Sequence, residues 1–357
     1  MAPESLLTGG SPSARDRYLT IDDALGPSAN RFFGDGHRKV SQHLRCLTLD
    51  ATSAGLCRIR GKADVVYPRD WSAKATETEL RPHLSSIDAV ALGAGLAECC
   101  LACSLGLDRD QRRRMWIRSV AFRAGTAPLL DLSGVDVSAT VTRSEAVPLS
   151  LCGHASTVES RVGPIKVVFE VEHEPGRPRD PGDHYAAENL LAEPAARYFG
   201  DGYKRTLREI RDICLDPETG KVGAHITIAG QDSSDTAEGI GAAYLPCLTV
   251  IDDIVIMAQL AQVLVYASDN LSRDQTGTLW LRHFAGRLST PYQPVTNPCG
   301  ASLSTIRSRT TPLGGKTWRT VDMACVLLGI SGSFSVTHAL PSKDAPRVAP
   351  SSAGGAA

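Results

Sequence analysis

Arg31-Phe32-Phe33-Gly34-Asp35-Gly36-His37-Arg38 returns as Arg197-Tyr198-Phe199-Gly200-Asp201-Gly202-Tyr203-Lys204, an offset of 166 residues from 31 to 197. Three further markers follow in the same order at an offset of 164, from 88 to 252. Ile87-Asp88-Ala89-Val90 returns as Ile251-Asp252-Asp253-Ile254, Arg109-Asp110-Gln111 as Arg273-Asp274-Gln275, and Trp116-Ile117-Arg118 as Trp280-Leu281-Arg282. A period this long lies outside solenoid and propeller repeats. Each copy has the size of a small domain. The chain is a duplicated fold, and the seam between the copies is the first place to seek a site.

Outward from these markers the two copies follow one plan. In copy one, 40–49 and 56–66 read as strands, and 85–105, rich in Ala and Leu, as a buried helix. Strand-like runs follow at 115–122, 135–141, 147–158 and 165–171. Copy two has extended runs at 207–215 and 224–228, a helix at 249–268, then strands at 279–284, 301–309 and 318–330. One helix followed by consecutive strands is an α+β plan. Without regular strand–helix alternation it is not a doubly wound sheet. A helix apolar over most of its surface needs a sheet wrapped around it, which is the hotdog arrangement. Two tandem copies predict a double hotdog, each a long central helix wrapped by an antiparallel sheet.

Residues 1–16 and the tail 341–357, rich in Ser, Pro and Gly, read as disordered. Copy one then spans 17–173 and copy two 188–340. The Pro/Gly-rich stretch 174–187 between them reads as a linker. A formal net charge of −1 gives no global field towards nucleic acid or membrane. No uninterrupted apolar run reads as a bilayer span, and no secretory signal is legible. Ten Cys without paired spacings fit a reduced, cytoplasmic setting.

Chemistry concentrates where each central helix starts. Pro82-His83-Leu84-Ser85-Ser86-Ile87-Asp88 matches Pro246-Cys247-Leu248-Thr249-Val250-Ile251-Asp252. Asp88 and Asp252 fit a helix capping box. They also fit general bases at the mouth of a tunnel between the helices, their carboxyls shifted by apolar neighbours. His83 is a proton shuttle for such a carboxylate. Cys247, at the equivalent position, is either packing or a nucleophile. In the Gly-Asp-Gly turns, the Gly and Phe read as structure. Arg31, Arg197, Asp35 and Asp201 are candidate ligand contacts. The run Arg109, Arg112, Arg113, Arg114, Arg118 reads as a solvated loop, with phosphates of a carrier such as coenzyme A as the lesser reading. Cys100-x-x-Cys103 has no second pair and reads as core rather than metal site. Walker, GxGxxG and GxSxG motifs are absent.

The two Gly-Asp-Gly phrases and Tyr18-Leu19-Thr20-Ile21-Asp22-Asp23-Ala24-Leu25-Gly26-Pro27 together resemble the avirulence protein D family of bacteria, from about Tyr18 to Ile330. That family is associated with making syringolides, acyl glycoside elicitors. The resemblance implies condensation of a 3-oxoacyl thioester with a ketopentose such as xylulose. The co-substrate would be acyl-CoA or an acyl-carrier-protein thioester, and no cofactor is needed. The expected catalytic set is Asp88, Asp252, His83 and Cys247, with the working mouth at His83 and Asp88 and Asp252 opposite. The expected partners are small molecules and an acyl carrier protein, with no nucleic acid or membrane; the chain is then a monomeric double hotdog or a homodimer. Two other classes fit the same cleft: a hotdog dehydratase or thioesterase, and a non-catalytic acyl-lipid or signal-binding protein.

Overall fold

The computed structural model describes residues 17–51, 57–74, 80–177, 191–293, 295 and 298–341. The expectations for 1–16, most of the linker and nearly all of the tail lie outside the described residues. In chain order the strands and helices are β1 (Arg17–Thr20), α1 (Ile21–Leu25), β2 (Ser41–Ala51), β3 (Cys57–Val66), α2 (Ser86–Leu105), α3 (Arg109–Arg114), β4 (Trp116–Arg123), β5 (Val135–Ala146), β6 (His154–Val162) and β7 (Ile165–His173). Copy two contributes α4 (Tyr203–Arg205), a single turn, then β8 (Leu207–Asp216), β9 (Lys221–Ala229), α5 (Val250–Ser268), β10 (Trp280–Leu288), β11 (Cys299–Leu313), β12 (Lys316–Leu327) and β13 (Ile330–Ala339).

The strands form one antiparallel sheet in which the duplication is visible as topology. From its outer edge copy one runs β2-β3-β5-β6-β7-β4, and copy two runs β8-β9-β11-β12-β13-β10. The inner strands β4 and β10 pair, Phe122 opposite Phe284, so the sheet is continuous across the seam. Each half wraps its own helix, the predicted double hotdog. Every residue of α2 from Ser86 to Ser104 is buried. Ser85 and Asp88 form a capping box at its start, and Gly106 ends it at φ 63° in the left-handed region. Thr249 and Asp252 repeat the cap on α5. Each buried Leu, Ile or Val contributes roughly 1.5–3 kcal/mol. Both helices are in fact long and apolar enough to cross a membrane by length and composition, but 94% and 89% of those windows lie inside the protein.

The copies interlock. β1 pairs with β8, so the start of copy one closes the outer edge of copy two. The two Gly-Asp-Gly turns are exchanged: Arg31 of copy one donates to Gln259 on α5 at 2.7 Å, and Arg197 of copy two lies over Gly95 on α2. Positions 95 and 259 are equivalent in the repeat. His37 and Tyr203, also equivalent, stack with centroids 6.3 Å apart between the halves. Glycine is required in these turns by close approach, because a Cβ on Gly36 would meet the Trp71 carbonyl at 1.9 Å.

Several details differ from the expectations. β1 and α1 were not expected, and of the arginine run read as a solvated loop Arg109–Arg114 form α3, capped by Asp108, while Arg118 lies in β4. The run 147–158 is a loop up to Gly153, with Leu149 and Leu151 exposed, and β6 starts only at His154. The run 318–330 spans two strands, turning at Leu328-Gly329. That turn is mostly apolar and lacks the polar residues that mark turns, though Leu328 does take positive φ.

Candidate active site

The repeat creates two equivalent half-sites, and they are not equally open. At the start of α2, His83, Leu84, Ser85 and Ser86 face a cavity of about 650 Å³. Its far wall comes from copy two, through Gln262 and Tyr266 late in α5 and Trp280 to Arg282 on β10. At the start of α5 the equivalent positions Cys247, Leu248, Thr249 and Val250 face a pocket of about 40 Å³. A loop fills the rest. Its Ile240 amide donates to Glu98 at 3.2 Å, its Gly241 amide to the Met115 carbonyl at 2.6 Å, and its Tyr244 hydroxyl to the Arg114 carbonyl at 2.8 Å. Glu98 is the counterpart of Gln262, so one carboxylate in place of an amide helps anchor the loop.

His83 lies on the wall of the open half-site. Its Nδ1 is 3.1 Å from the Arg81 carbonyl, which can only accept. Nδ1 therefore carries the proton in the neutral ring and Nε2 keeps its lone pair, with no hydrogen-bond partner among the described residues. The ring packs on Trp280 at 4.8 Å and edge-on to Trp71 at 6.2 Å. Burial pushes its pKa below the usual histidine value, which favours the neutral base.

The paired carboxylates are placed behind the half-sites. Asp88 is 1% exposed. It accepts from the Ser85 amide at 2.9 Å and hydroxyl at 2.7 Å, from Gln42 at 2.7 Å, and from the Tyr67 hydroxyl. Ser85 and Tyr67 line the cavity and Asp88 does not. Asp252, expected opposite His83, instead sits at the other helix start. It is fully buried against Arg208 at 2.7 Å and accepts from the Thr249 amide and hydroxyl, each at 2.8 Å. Gln42 and Arg208 are equivalent positions, so one copy meets its cap carboxylate with a neutral amide donor and the other with a cation. Cys247 is enclosed, and burial pushes its thiol up to about 12, far from a thiolate.

The turn residues divide. Arg31 reaches the cavity wall but is held by Gln259, Asp22 and the Pro27 carbonyl. Arg197 lines a separate cavity of about 190 Å³, with Nε on the Ala192 carbonyl. Asp35 pairs with Arg38 and accepts from Ser28, and Asp201 pairs with Lys204. Neither carboxylate lines the open cavity.

Sequence reasoning missed Tyr67, Trp71 and Lys74 from the irregular segment after β3, and Tyr266 and Arg282 from copy two. Lys74 donates to the carbonyls of Arg273 and Gly277, tying that segment to copy two across the site. Burial and Arg273 push its pKa down to about 8. No periodicity marks such residues. Among the described residues no cluster of His, Cys, Asp or Glu could hold a metal, and Cys99, Cys100 and Cys103 are buried in the helix.

These features define a double-hotdog protein with one open and one closed half-site. The family model for the Pseudomonas avirulence D protein matches residues 17–341, and the chain belongs to that family. No curated protein matches the chain significantly. Similar solved structures include an acyl-CoA thioesterase II, TesB2, from Mycobacterium marinum, with 12% identity and TM-score 0.35, covering 84% of this chain and 98% of that one. A protein with hot dog fold from Alicyclobacillus acidocaldarius has 10% identity and TM-score 0.37, covering 87% and 98%. The dehydratase domain of a mycocerosic acid synthase-like polyketide synthase has 10% identity and TM-score 0.36, covering 81% and 94%. Likeness at this level carries no argument about activity.

Proposed function

We propose that this chain is a biosynthetic acyltransferase. Its open half-site takes a 3-oxoacyl chain from a coenzyme A or carrier-protein thioester and joins it to a hydroxyl of a ketopentose, giving an acyl–pentose ester that ring closure converts to an acyl glycoside of the syringolide type. One observation carries the reading: of two equivalent half-sites, only the one with a histidine whose Nε2 is free is open, at about 650 Å³.

The chemistry follows from the groups present. His83 Nε2 takes the proton of the attacking sugar hydroxyl, whose oxygen forms the new bond to the thioester carbonyl. The amide of Ser86, the first residue of α2 and on the cavity wall, is suited to receive the developing oxyanion. The carbon–sulfur bond then breaks, and the thiolate leaves with the proton from His83. Asp88 serves here as a positioning residue that holds Ser85 and Tyr67. Asp252 and Cys247 maintain the closed half. The apolar stretch of the wall, including Leu129 and Ile165, suits an acyl chain.

The test is a panel of 3-oxoacyl, 3-hydroxyacyl and saturated acyl thioesters, each with and without ketopentoses, read by thiol release and product mass. The proposal expects an acyl–pentose product from the 3-oxoacyl thioester when sugar is present, and none without it. Free acid or water loss without sugar would assign the site to a thioesterase or dehydratase. Binding without turnover of any thioester would assign it to a ligand-binding protein.

A further inference from the structure

The open cavity carries five cationic side chains on its wall, Arg31, Lys74, Arg273, Arg282 and Arg309, and no carboxylate. Four of them are engaged by the protein. Arg31 is held by Asp22 and Gln259, and Lys74 by backbone carbonyls. Arg273 donates to the Asn30 carbonyl, and Arg309 pairs with Asp322 at 3.5 Å. Arg282 has no side-chain partner among the described residues.

Its counterpart shows what has changed. Arg118 and Arg282 are both the extra residue of a β-bulge, on β4 and β10. A bulge re-aims the side chain it carries. Arg118 is met by Glu170 at 3.3 Å and Glu172 at 3.7 Å. In β7, Glu172 pairs with Trp116 and Glu170 with Ser119. The matching positions in β13 are Thr337, opposite Trp280, and Ser335, opposite His283. Copy two has kept the bulge and the cation but not the two anions. Beside the vacated place, the Thr320 and Thr337 hydroxyls bond to each other on the cavity wall.

We infer that Arg282 binds a phosphate group brought in by the ligand, and that this phosphate belongs to the sugar acceptor. The first half stands on the charge pattern: a partly buried guanidinium with no carboxylate paired to it among the described residues is suited to a phosphate, which it can take in bidentate fashion. The second half rests on the acyl-transfer reading and on spacing. Arg282 lies two residues beyond Trp280, whose ring packs on His83, and two strand residues span about 7 Å. A pentulose phosphate bridges that span from a hydroxyl to its phosphate. The phosphate of a pantetheine arm lies much farther from its thioester.

Binding is the test, since it is read without turnover. The intrinsic tryptophan fluorescence of wild type, Arg282→Gln and Arg118→Gln is titrated with D-xylulose, D-xylulose 5-phosphate and coenzyme A, alongside thermal unfolding of each protein. Wild type is expected to bind the phosphorylated sugar at least about tenfold more tightly than the free sugar, the weight of one charge-assisted contact. Arg282→Gln removes that preference with unfolding temperature unchanged, and Arg118→Gln retains it. Equal affinity for both sugars in wild type, or a preference that survives Arg282→Gln, overturns the inference. A loss confined to coenzyme A places the phosphate on the carrier and overturns the acceptor assignment. If the preference holds but no thioester is turned over, the acyl-transfer reading fails while the phosphate site stands.

Discussion

His83 at the start of the first central helix and Trp280 on the inner strand of the second half lie with ring centroids 4.8 Å apart. The open half-site is therefore assembled from both copies, and its candidate base is oriented by a residue from the other half. Protonating an imidazole against an indole quenches the indole. Wild-type fluorescence should show a titration, absent in His83→Gln, with its midpoint below the usual histidine value because burial disfavours the charged ring. A midpoint at or above about 6.5, the ordinary value, would contradict the buried neutral histidine.

Asp253 is a fully buried carboxylate, and neither of its oxygens has a hydrogen-bond partner among the described residues. It replaces Ala89 of the first copy. Burial, followed by the Asp252 carboxylate, pushes its pKa up to about 7. A raised folded-state value means that its contribution to stability is fully present below about 3.8 and is lost as pH rises through about 7. Asp253→Ala should therefore stabilise the protein at pH 8, by on the order of 2–4 kcal/mol. The gain should shrink as pH falls towards 5. Denaturant unfolding at the two pH values checks this; a pH-independent effect would refute it.

Arg208 and Asp252 form the opposite case, a buried pair 2.7 Å apart with side chains 3% and 0% exposed. Removing one partner strands the other charge. Arg208→Leu should cost about 3–5 kcal/mol, whereas Gln42→Leu at the equivalent position should cost about 1–3 kcal/mol, because Asp88 keeps its other donors. Urea melts of the two variants compare the losses. Equal losses would mean that the ion pair is not what stabilises the second helix cap.

Gly36 tests the exchanged turns. Its missing Cβ is replaced by the Trp71 carbonyl, a backbone atom that cannot swing away. Gly36→Ala should destabilise by about 1–3 kcal/mol and disturb the cavity wall through Trp71. Gly277→Ala, with open space around its Cβ, should change the melting temperature little.

Much of the architecture was legible because the two helices have no polar face. A helix such as Ser86–Leu105 can only be satisfied by a sheet on all sides, and the repeat doubled that conclusion. The site was legible only at its rim. Asp88 and Asp252 carry the same pattern in a capping box as in a catalytic pair, and only their hydrogen bonds separate the two. The collapse around Cys247 depends on Glu98 and the loop at Ile240, residues distant in sequence and linked only by folding. Arg282 was visible as a repeat marker. The loss of its carboxylates appears only once the β-bulge has set the register of Trp280 against Thr337.

The decisive measurement is formation of acyl–pentose product, by mass spectrometry, from a 3-oxoacyl thioester and ketopentose with His83→Gln and Cys247→Ala side by side. The prediction is a loss of about 100-fold or more for His83→Gln with unchanged folding, and near wild-type activity for Cys247→Ala. Full activity in His83→Gln, or a comparable loss in Cys247→Ala with its fold intact, would contradict it.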